Sequence, residues 1–168
     1  MKVLVTGGAG YIGSHTVRQL VKAGADVTVL DSMVYGHQAA IVDKEVTLVK
    51  GDLGDPAVVY PLLINGKFDA VVHFAAFIQV GESVTDPLKY YENNIAKPLV
   101  LLRAMILAGT KRFVFSSTCA TYGEPTQVPI PETEKQDPIN PYGGSKFMLE
   151  KVCKDCDRAY GLKSVFLR

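Results

Sequence analysis

The chain has 168 residues, of which 48% are hydrophobic and 21% charged, as in an ordinary globular domain. Its length allows one domain with a substantial core. A formal net charge of +1 gives no electrostatic reason to expect nucleic acid or an anionic membrane as a partner. No apolar run approaches the roughly 18 residues that span a bilayer, and the N-terminal stretch is too short for a signal peptide.

The three cysteines are too few for a disulfide framework, so we expect a cytoplasmic protein. Cys153 and Cys156 form a C-x-x-C pair, but the surrounding pattern is helical and no second pair accompanies it. A redox or metal role needs a more fitting context, so both are interpreted as helix-packing thiols. His15 and His37 show no metal-ligand spacing, and no metal site is predicted.

Short apolar runs alternate with helical patterns along the chain, which is typical of βαβ units and a parallel sheet. Six runs are predicted as strands because they are rich in β-branched and apolar residues. These are residues 3–5, 27–30, 46–49, 70–74, 112–115 and 164–167. They are apolar throughout rather than alternating, which is typical of strands covered on both faces. We therefore predict an α/β fold, a doubly wound parallel sheet with helices on both faces.

Helix signals fill the intervals between the strands. Apolar residues at i, i+4, i+7 and i+8 from Gly13 indicate the first helix, which Gly24 can end. Asp55-Pro56 and Asp86-Pro87 each place a capping carboxylate before a proline at the first helical position.

The second half of the chain holds the longest helical patterns. Pro98 interrupts an apolar segment that ends near Gly109, and should kink this helix or split it into two pieces. The last helix is predicted from about Tyr142 to Tyr160. The stretch before it, residues 124–141, holds five prolines and is predicted to be a loop, long enough to suggest a function.

A glycine-rich turn follows the first strand and opens the first helix, in two overlapping patterns with glycines at 7, 8, 10 and 13. Glycines at this spacing allow a tight turn, a close approach of the backbone to a pyrophosphate, and helix–strand packing. The helix N-terminus adds unpaired N–H groups and the positive end of its dipole. The motif predicts a Rossmann-type dinucleotide site at Gly7, Gly10 and Gly13.

Asp31 closes the second strand about 20 residues after the turn, where an acid accepts a hydrogen bond from a ribose 2′-OH. The same carboxylate repels a 2′-phosphate, so the predicted cofactor is NAD rather than NADP. A glycine turn without any ligand is the alternative interpretation, and the strand, helix and acid around this turn argue against it.

Tyr142 and Lys146 stand at i and i+4 on one face of the last helix. A nearby ammonium group favours the phenolate form of a tyrosine, and a phenolate beside a nicotinamide can accept a hydroxyl proton while hydride leaves the same carbon. Such a pair alone often occurs by chance. Its position after the fifth strand strengthens the prediction, because ligands bind beyond the carboxyl ends of strands. Thr118, at that end of the fifth strand, is the predicted partner of the reacting oxygen.

Taken in order along the whole chain, these motifs resemble those of the extended short-chain dehydrogenase/reductases. The matching segments are residues 6–15, 51–53, 73–76, 80–84, 90–94, 115–118, 122–123 and 140–146. The glycine turn and the Tyr/Lys pair define the wide family. The V-G-E-S-V stretch at 80–84 and the Y-Y-x-N-N stretch at 90–94 are similar to those of its NAD-dependent nucleotide-sugar epimerases.

The resemblance implies a role for each matching residue. Tyr142 would be the base, Lys146 its electrostatic partner and a ligand of the nicotinamide ribose, and Thr118 a hydroxyl in contact with the substrate together with Tyr142. Besides the three glycines, the NAD-contacting residues would be Tyr11, Ile12, Asp31, Ser32, Met33, Gly36, Asp52, Leu53, Phe74, Ala75, Ala76, Phe77, Ile78 and Asn93.

The implied reaction is epimerisation at C4 of a UDP-hexose, such as UDP-glucose or UDP-galactose, through a 4-keto sugar that turns over in the site. The implied assembly is a homodimer in which the long apolar helix and the Tyr/Lys helix pair across an axis. Residues 1–168 would form the NAD-binding domain with the catalytic residues, and a C-terminal substrate domain would lie outside this chain. We expect the chain alone to bind NAD weakly and to be inactive.

Two other functions remain open from the sequence. Nucleotide-sugar 4,6-dehydratases and decarboxylases share the scaffold, but the dehydratases have an Asp-Glu pair where this chain has Cys119-Ala120. A non-catalytic NAD-binding module is the other, and the presence of Thr118, Tyr142 and Lys146 together argues against it.

Several polar residues are given a structural interpretation. His73 ends a buried strand and is interpreted as a packed, hydrogen-bonded core residue. Tyr122-Gly123 is interpreted as a shaping element of the active-site loop, with a substrate contact as the alternative. Glu82 and Asp86 are interpreted as solvated or capping groups.

Overall fold

The computed structural model describes residues 1–168 and contains one six-stranded parallel sheet with the order β3-β2-β1-β4-β5-β6. The strands are β1 Lys2–Thr6, β2 Asp26–Asp31, β3 Thr47–Lys50, β4 Ala70–His73, β5 Arg112–Ser116 and β6 Lys163–Leu167. The six predicted strands are confirmed, with ends that differ by one residue. The strand order reverses between β1 and β4, which creates the crevice where such sheets bind ligands.

Six α-helices accompany the sheet. They are α1 Tyr11–Lys22, α2 Pro56–Gly66, α3 Val80–Thr85, α4 Pro87–Tyr91, α5 Lys97–Ala108 and α6 Pro141–Tyr160. The predicted caps are present, because Asp55 accepts from the backbone N–H of Ala57 at 2.9 Å and Asp86 from that of Lys89 at 3.4 Å. Gly161 ends α6 in the left-handed conformation, with φ of 70°.

The predicted break in the long apolar segment is confirmed. A π-helical turn, Glu92–Ala96, separates α4 from α5, and Pro98 is the second residue of α5, directly after this turn. A π turn shifts the side chains that follow it around the helix. Here Asn94, within the turn, is buried.

Two cores lie on opposite faces of the sheet, because neighbouring strand residues point to opposite sides. On one face α2, α5 and α6 cover Leu4, Val71 and Phe113. On the other face Val17 of α1 packs against a layer of strand valines. Each fully buried aliphatic side chain of this kind contributes roughly 1.5–3 kcal/mol.

The prediction that all strands are covered on both faces is wrong for β6. Val165 and Leu167 are 57% and 51% exposed. Val165 pairs with Val114 on the face that α1 covers, but α1 contacts β1 and β2 and does not reach this edge of the sheet.

The predicted loop is confirmed, because no helix or strand lies between Gly123 and Asn140. The packing interpretation of the cysteine pair is also confirmed, since Cys153 is a fully buried core residue of α6 and Cys156 packs against the same core. All three cysteines are free thiols. Every helix is too short or too polar to cross a membrane.

Candidate active site

The glycine turn between β1 and α1 has no room for a side chain at Gly7 or Gly13. A Cβ atom on Gly13 would lie 2.2 Å from the carbonyl oxygen of Gly7, and one on Gly7 would lie 2.5 Å from the backbone nitrogen of Ala75. Gly7 also has φ of +73°, which L side chains rarely adopt. The bare backbone of this turn therefore forms a cradle directly before the N-terminus of α1.

Asp31 is buried at the end of β2 and fastens the turn to the sheet. Its Oδ2 accepts from the backbone N–H of Ala9 and its Oδ1 from that of Met33, each at 2.9 Å. A Cβ on Gly36 would lie 2.6 Å from Oδ1, so the chain closes over the carboxylate only because residue 36 is glycine. A carboxylate has about four acceptor positions, which leaves capacity for a ribose hydroxyl.

A groove crosses the carboxyl ends of β1, β2 and β4. It lies at the reversal of strand order, where ligands of open α/β sheets bind. The predicted cofactor residues that it brings together are Gly7, Gly10, Asp31, Ser32, Gly36, Asp52, Leu53, Phe74, Ala75, Ala76, Phe77 and Asn93.

Other predicted cofactor residues lie outside this lining. Tyr11 and Ile12 are exposed at the start of α1, and Ile78 is exposed beyond β4. Met33 has a left-handed backbone and donates to Asp31, while Gly13 packs inside the turn. Their contacts with a cofactor stay predictions.

The groove also contains residues that the prediction missed, of which Lys97 is the most informative. Its Nζ lies 2.5 Å from Oδ2 of Asp52, whose Oδ1 accepts from the backbone of Gly54 at 2.7 Å. Burial raises the pKa of Asp52, but the hydrogen bonds from Lys97 and Gly54 outweigh it and hold the pKa below its usual range. Lys97 is 45 residues from Asp52, and no local pattern marks the pairing.

Lys146 lies one turn after Tyr142 on α6, as predicted, and is only 3% exposed. Its Nζ donates to the carbonyl oxygen of Ser116 at 2.9 Å and lies 6.0 Å from the ring centre of Tyr142. Burial lowers the pKa of Lys146 to about 7. The lysine thus joins α6 to the carboxyl end of β5, directly before Thr118.

His73 lies at the end of β4, below this lysine. A 2.6 Å hydrogen bond joins its Nδ1 to the Thr6 hydroxyl, and its ring stacks on Phe113 and Phe115. Complete burial, with the positive charge of Lys146 nearby, lowers the pKa of His73 to about 3. The imidazole is therefore neutral near pH 7, and its interpretation as a packed core residue is confirmed.

Thr118 follows β5 and caps a short 3₁₀ turn, Cys119–Tyr122. Its Oγ1 accepts from the backbone N–H of Ala120 at 3.1 Å, so its hydroxyl hydrogen is left for another partner. The first turn of α6 packs on this turn, because a Cβ on Gly143 would lie 2.6 Å from the carbonyl oxygen of Ala120. Thr118 and Tyr142 therefore stand at the same end of the sheet.

A buried hydrogen-bond chain connects Tyr142 with the groove wall. The Ser145 hydroxyl donates to the carbonyl oxygen of Tyr142 at 2.7 Å and accepts from Asn94 at 3.1 Å. The Asn94 amide also pairs with both backbone groups of Phe77, at 2.9 and 3.0 Å. The sequence marked Asn93 as a site residue and missed Asn94, which lies within the π turn and is buried.

A second buried network stands behind Thr118. The carboxylate of Glu150 accepts from Ser117 at 2.5 Å, from Gln136 of the proline-rich loop at 3.0 Å, and from Arg168 at 2.7 Å. Arg168 also donates to the Tyr122 hydroxyl at 2.9 Å. Burial raises the pKa of Glu150, but these partners outweigh it and hold the pKa below its usual range.

This network fastens the proline-rich loop to the sheet. Gly123, at the start of the loop, allows a close approach of the backbone near its end, at Asp137. A Cβ on Gly123 would lie 2.1 Å from the carbonyl oxygen of Asp137. The interpretation of Tyr122-Gly123 as a loop-shaping pair agrees with this geometry.

Glu82 is partly exposed to solvent, and it also bonds to two side chains of α4, which the sequence did not indicate. It is half-buried, its Oε1 lies 2.5 Å from Nζ of Lys89, and its Oε2 accepts from the Tyr90 hydroxyl at 2.8 Å. Asp86 is the capping group of the two. No three His, Cys, Asp or Glu side chains are arranged to hold a metal ion.

The reversed strand order, the glycine cradle and the acid at the end of β2 define a Rossmann-type α/β domain. Residues 3–168 match the model of the NAD dependent epimerase/dehydratase family. The chain belongs to this family.

Individual relatives are similar over the same residues. The UDP-glucose 4-epimerase of Lacticaseibacillus casei is 54% identical over 168 residues, which are all of this chain and 50% of the relative. The crystal structure of UDP-glucose 4-epimerase from Brucella ovis in complex with NAD has a TM-score of 0.96 at 47% identity, covering 99% of this chain and 51% of that one. The UDP-Glc/GlcNAc 4-epimerase of Campylobacter jejuni has a TM-score of 0.96 at 45% identity, covering 99% and 52%. The chain spans about half the length of the curated relatives it matches.

Proposed function

We propose that this protein takes part in the NAD-dependent epimerisation of a UDP-hexose at C4, which interconverts UDP-glucose and UDP-galactose. The observation that carries the proposal is the placement of Tyr142 and Lys146 on one face of α6, fastened to the end of β5 beside Thr118. The substrate assignment is supported by the whole-chain similarity to UDP-glucose 4-epimerases.

The residues of the groove fit NAD. Gly7 and Gly13 let the turn pack tightly against neighbouring backbone directly before α1. The free N–H groups at the start of α1 suit a pyrophosphate, which Tyr11 and Ile12 would flank. Asp31 and Asp52 both line the groove; Asp31 would accept from a hydroxyl of the adenosine ribose, and Asp52 would lie at the adenine. When bound, NAD supplies the acceptor for the hydride that leaves C4.

Proton transfer is assigned to the side chains around the end of β5. Tyr142, as phenolate, accepts the proton of the C4 hydroxyl and returns it after the sugar has turned over. Lys146 in its ammonium form stabilises that phenolate, and its bond to Ser116 fixes the distance. Thr118 uses its remaining hydroxyl hydrogen to bind the reacting oxygen.

Replacement of Tyr142 by Phe tests this assignment in the complete polypeptide that carries these residues. We expect turnover of UDP-galactose to fall by about 10²–10⁴-fold, the usual size of general-base catalysis, while NAD binding persists. Tyr160→Phe is the matched control, because Tyr160 is exposed at the far end of the same helix. Unchanged turnover in Tyr142→Phe contradicts the assignment, and a dehydrated product from the unsubstituted protein favours the dehydratase alternative.

We also propose a homodimer through an apolar face of α4, the π turn, α5 and α6. This face consists of Leu88, Tyr91, Ile95, Leu99 and Met148, and Leu88 is 77% exposed. Contiguous apolar area of this kind marks interaction sites, and the family resemblance indicates a second copy as the occupant.

Analytical ultracentrifugation tests the dimer. Leu88→Asp together with Leu99→Asp should shift the protein to monomer by placing charges in the apolar contact. Val128→Asp is the control, because Val128 is also an exposed apolar residue but lies in the proline-rich loop. A monomer before substitution refutes the proposed interface.

The free state of all three thiols supports a reducing compartment, and we propose the cytoplasm. We also propose that residues 1–168 form the NAD-binding domain and that a separate domain binds the UDP-sugar. The inactivity of residues 1–168 alone stays a prediction. Interconversion of UDP-glucose and UDP-galactose by a polypeptide of only these residues contradicts it.

A further inference from the structure

The V-G-E-S-V stretch forms α3, and its serine reaches the catalytic helix. Ser83 is completely buried. Its hydroxyl donates to the carbonyl oxygen of Val80 at 2.6 Å and accepts from the backbone N–H of Tyr142 at 3.1 Å. This second bond joins residues that are 59 positions apart in the chain.

The bond satisfies a donor that α6 itself leaves free. The first backbone N–H groups of a helix have no partner within the helix. Pro141, the first residue of α6, has no N–H, and Asn140 accepts from Gly143 at 2.8 Å. The N–H of Tyr142 lies between them and is satisfied by Ser83, from a different helix.

The short helix α3 is itself braced. The Tyr90 hydroxyl accepts from the backbone N–H of Gln79 at 3.0 Å and donates to Glu82 at 2.8 Å. Lys89 completes the cluster with its ion pair to Glu82. Ser83 is therefore presented from a fixed support.

We propose that Ser83 is a positioning residue for Tyr142, whose peptide group it holds from outside α6. The Ser83 hydroxyl fixes the N–H side of residue 142, and the Ser145 hydroxyl fixes its carbonyl side. Misplacement of a reacting group by about 1 Å can cost 10²-fold in rate, so a bond at this backbone site governs turnover. The inference rests on the proposed role of Tyr142 as the base.

Three substitutions in the complete polypeptide test the proposal kinetically. In Ser83→Ala we expect kcat for UDP-galactose to fall about tenfold, as for the loss of one buried hydrogen bond, with KM and NAD affinity within about twofold. Ser83→Thr should restore most of kcat, because a helical threonine also bonds to a carbonyl three residues earlier. Thr85→Ala is the control, since its exposed hydroxyl donates only to Glu82 of the same helix.

Amide hydrogen exchange at Tyr142 tests the bond independently of activity. We expect exchange at this amide to accelerate about tenfold in Ser83→Ala and to stay unchanged in Thr85→Ala. Unchanged exchange, or a kcat equal to that of the unsubstituted protein, overturns the proposal. Loss of NAD binding together with turnover in Ser83→Ala also overturns it, because Ser83 would then be a residue of general stability. If the unsubstituted protein is inactive, the proposed function fails, and exchange alone decides the role of Ser83.

Discussion

The cofactor end and the catalytic end of this domain are built from different material. At the cofactor end, the turn at residues 7–13 is shaped by backbone, and the Asp31 side chain fastens it by reaching Ala9 over 22 positions. At the catalytic end the site is made of side chains from distant segments, such as Asn94 and Ser145, which are 51 positions apart. The shape of a backbone site is determined locally, by glycines within one turn. A site made of side chains forms only after several helices have packed together.

Substitutions at the two ends of the site should therefore have different effects on stability and on turnover. A substitution in the glycine cradle forces atoms into space that backbone already occupies, so it destabilises the folded state. A substitution at the catalytic end removes a functional group and leaves the packing largely intact, so it lowers turnover more than stability.

The largest effect is expected for Gly13→Ala. The new Cβ would lie 2.2 Å from the carbonyl oxygen of Gly7, and backbone cannot rotate away as a side chain can. We expect the free energy of unfolding to fall by at least about 3 kcal/mol and NAD binding to be lost. Urea denaturation and isothermal titration calorimetry measure the two effects.

Gly81→Ala is the matched control, because a Cβ at Gly81 in α3 meets no atom within 4 Å. We expect this variant to be stabilised by about 0.5–1 kcal/mol, the usual gain of alanine over glycine inside a helix. Equal stabilities for the two variants contradict the account of the cradle.

Lys146→Met should separate stability from chemistry at the catalytic end. Burial opposes the charge of Lys146, so its removal should raise the free energy of unfolding by about 1–3 kcal/mol, even though Ser116 loses a hydrogen bond. Turnover should fall by orders of magnitude, because the phenolate of Tyr142 loses the cation 6.0 Å from its ring centre. Lys151→Met on an exposed position of α6 is the control.

The pH dependence checks the cause of this stabilisation. The pKa of Lys146 is lowered from 10.5 to about 7 by burial, so between these values the unfolded chain binds more protons than the folded one. The stability of the unsubstituted protein should therefore rise with pH across this window. The advantage of Lys146→Met should be full below about pH 7 and shrink towards pH 10.5; an advantage that does not vary with pH contradicts desolvation as its cause.

The difference between local and distant contacts also determines which features of the fold and site could be predicted from the sequence. The six strands, the glycine turn and the caps at Asp55 and Asp86 could be predicted because each is fixed by residues within a few positions. The pairing of Tyr142 with Lys146 could be predicted because one helix turn separates them. Each of these signals is local.

The supporting side chains could not be predicted, because their partners are set by packing. Asn94 is buried within a π turn that no residue pattern predicts. Glu82 looked solvated in the sequence, and only the fold of α3 on α4 brings Tyr90 and Lys89 to it. The exposed face of β6 was missed because strand composition does not show how far α1 extends.

The smallest effect is expected at Lys97, a side chain that lines the cofactor groove. Its ion pair with Asp52 is partly exposed, at 32% and 45% of the two side chains, and pairs of this kind contribute about 0–1 kcal/mol. Lys97→Met should let the pKa of Asp52 rise towards its usual value and weaken NAD binding by up to about fivefold, without a change in fold.

Calorimetric titration of NAD at low and high salt measures this effect, and salt should narrow the gap between Lys97→Met and the unsubstituted protein. Lys135→Met is the matched control, because Lys135 pairs with Asp137 at 2.8 Å on the exposed loop, away from the groove. An equal loss of NAD affinity in both variants means that net charge, and not the orientation of Asp52, sets the affinity. A loss confined to Lys97→Met shows that one side chain tunes a site whose shape is made by glycine.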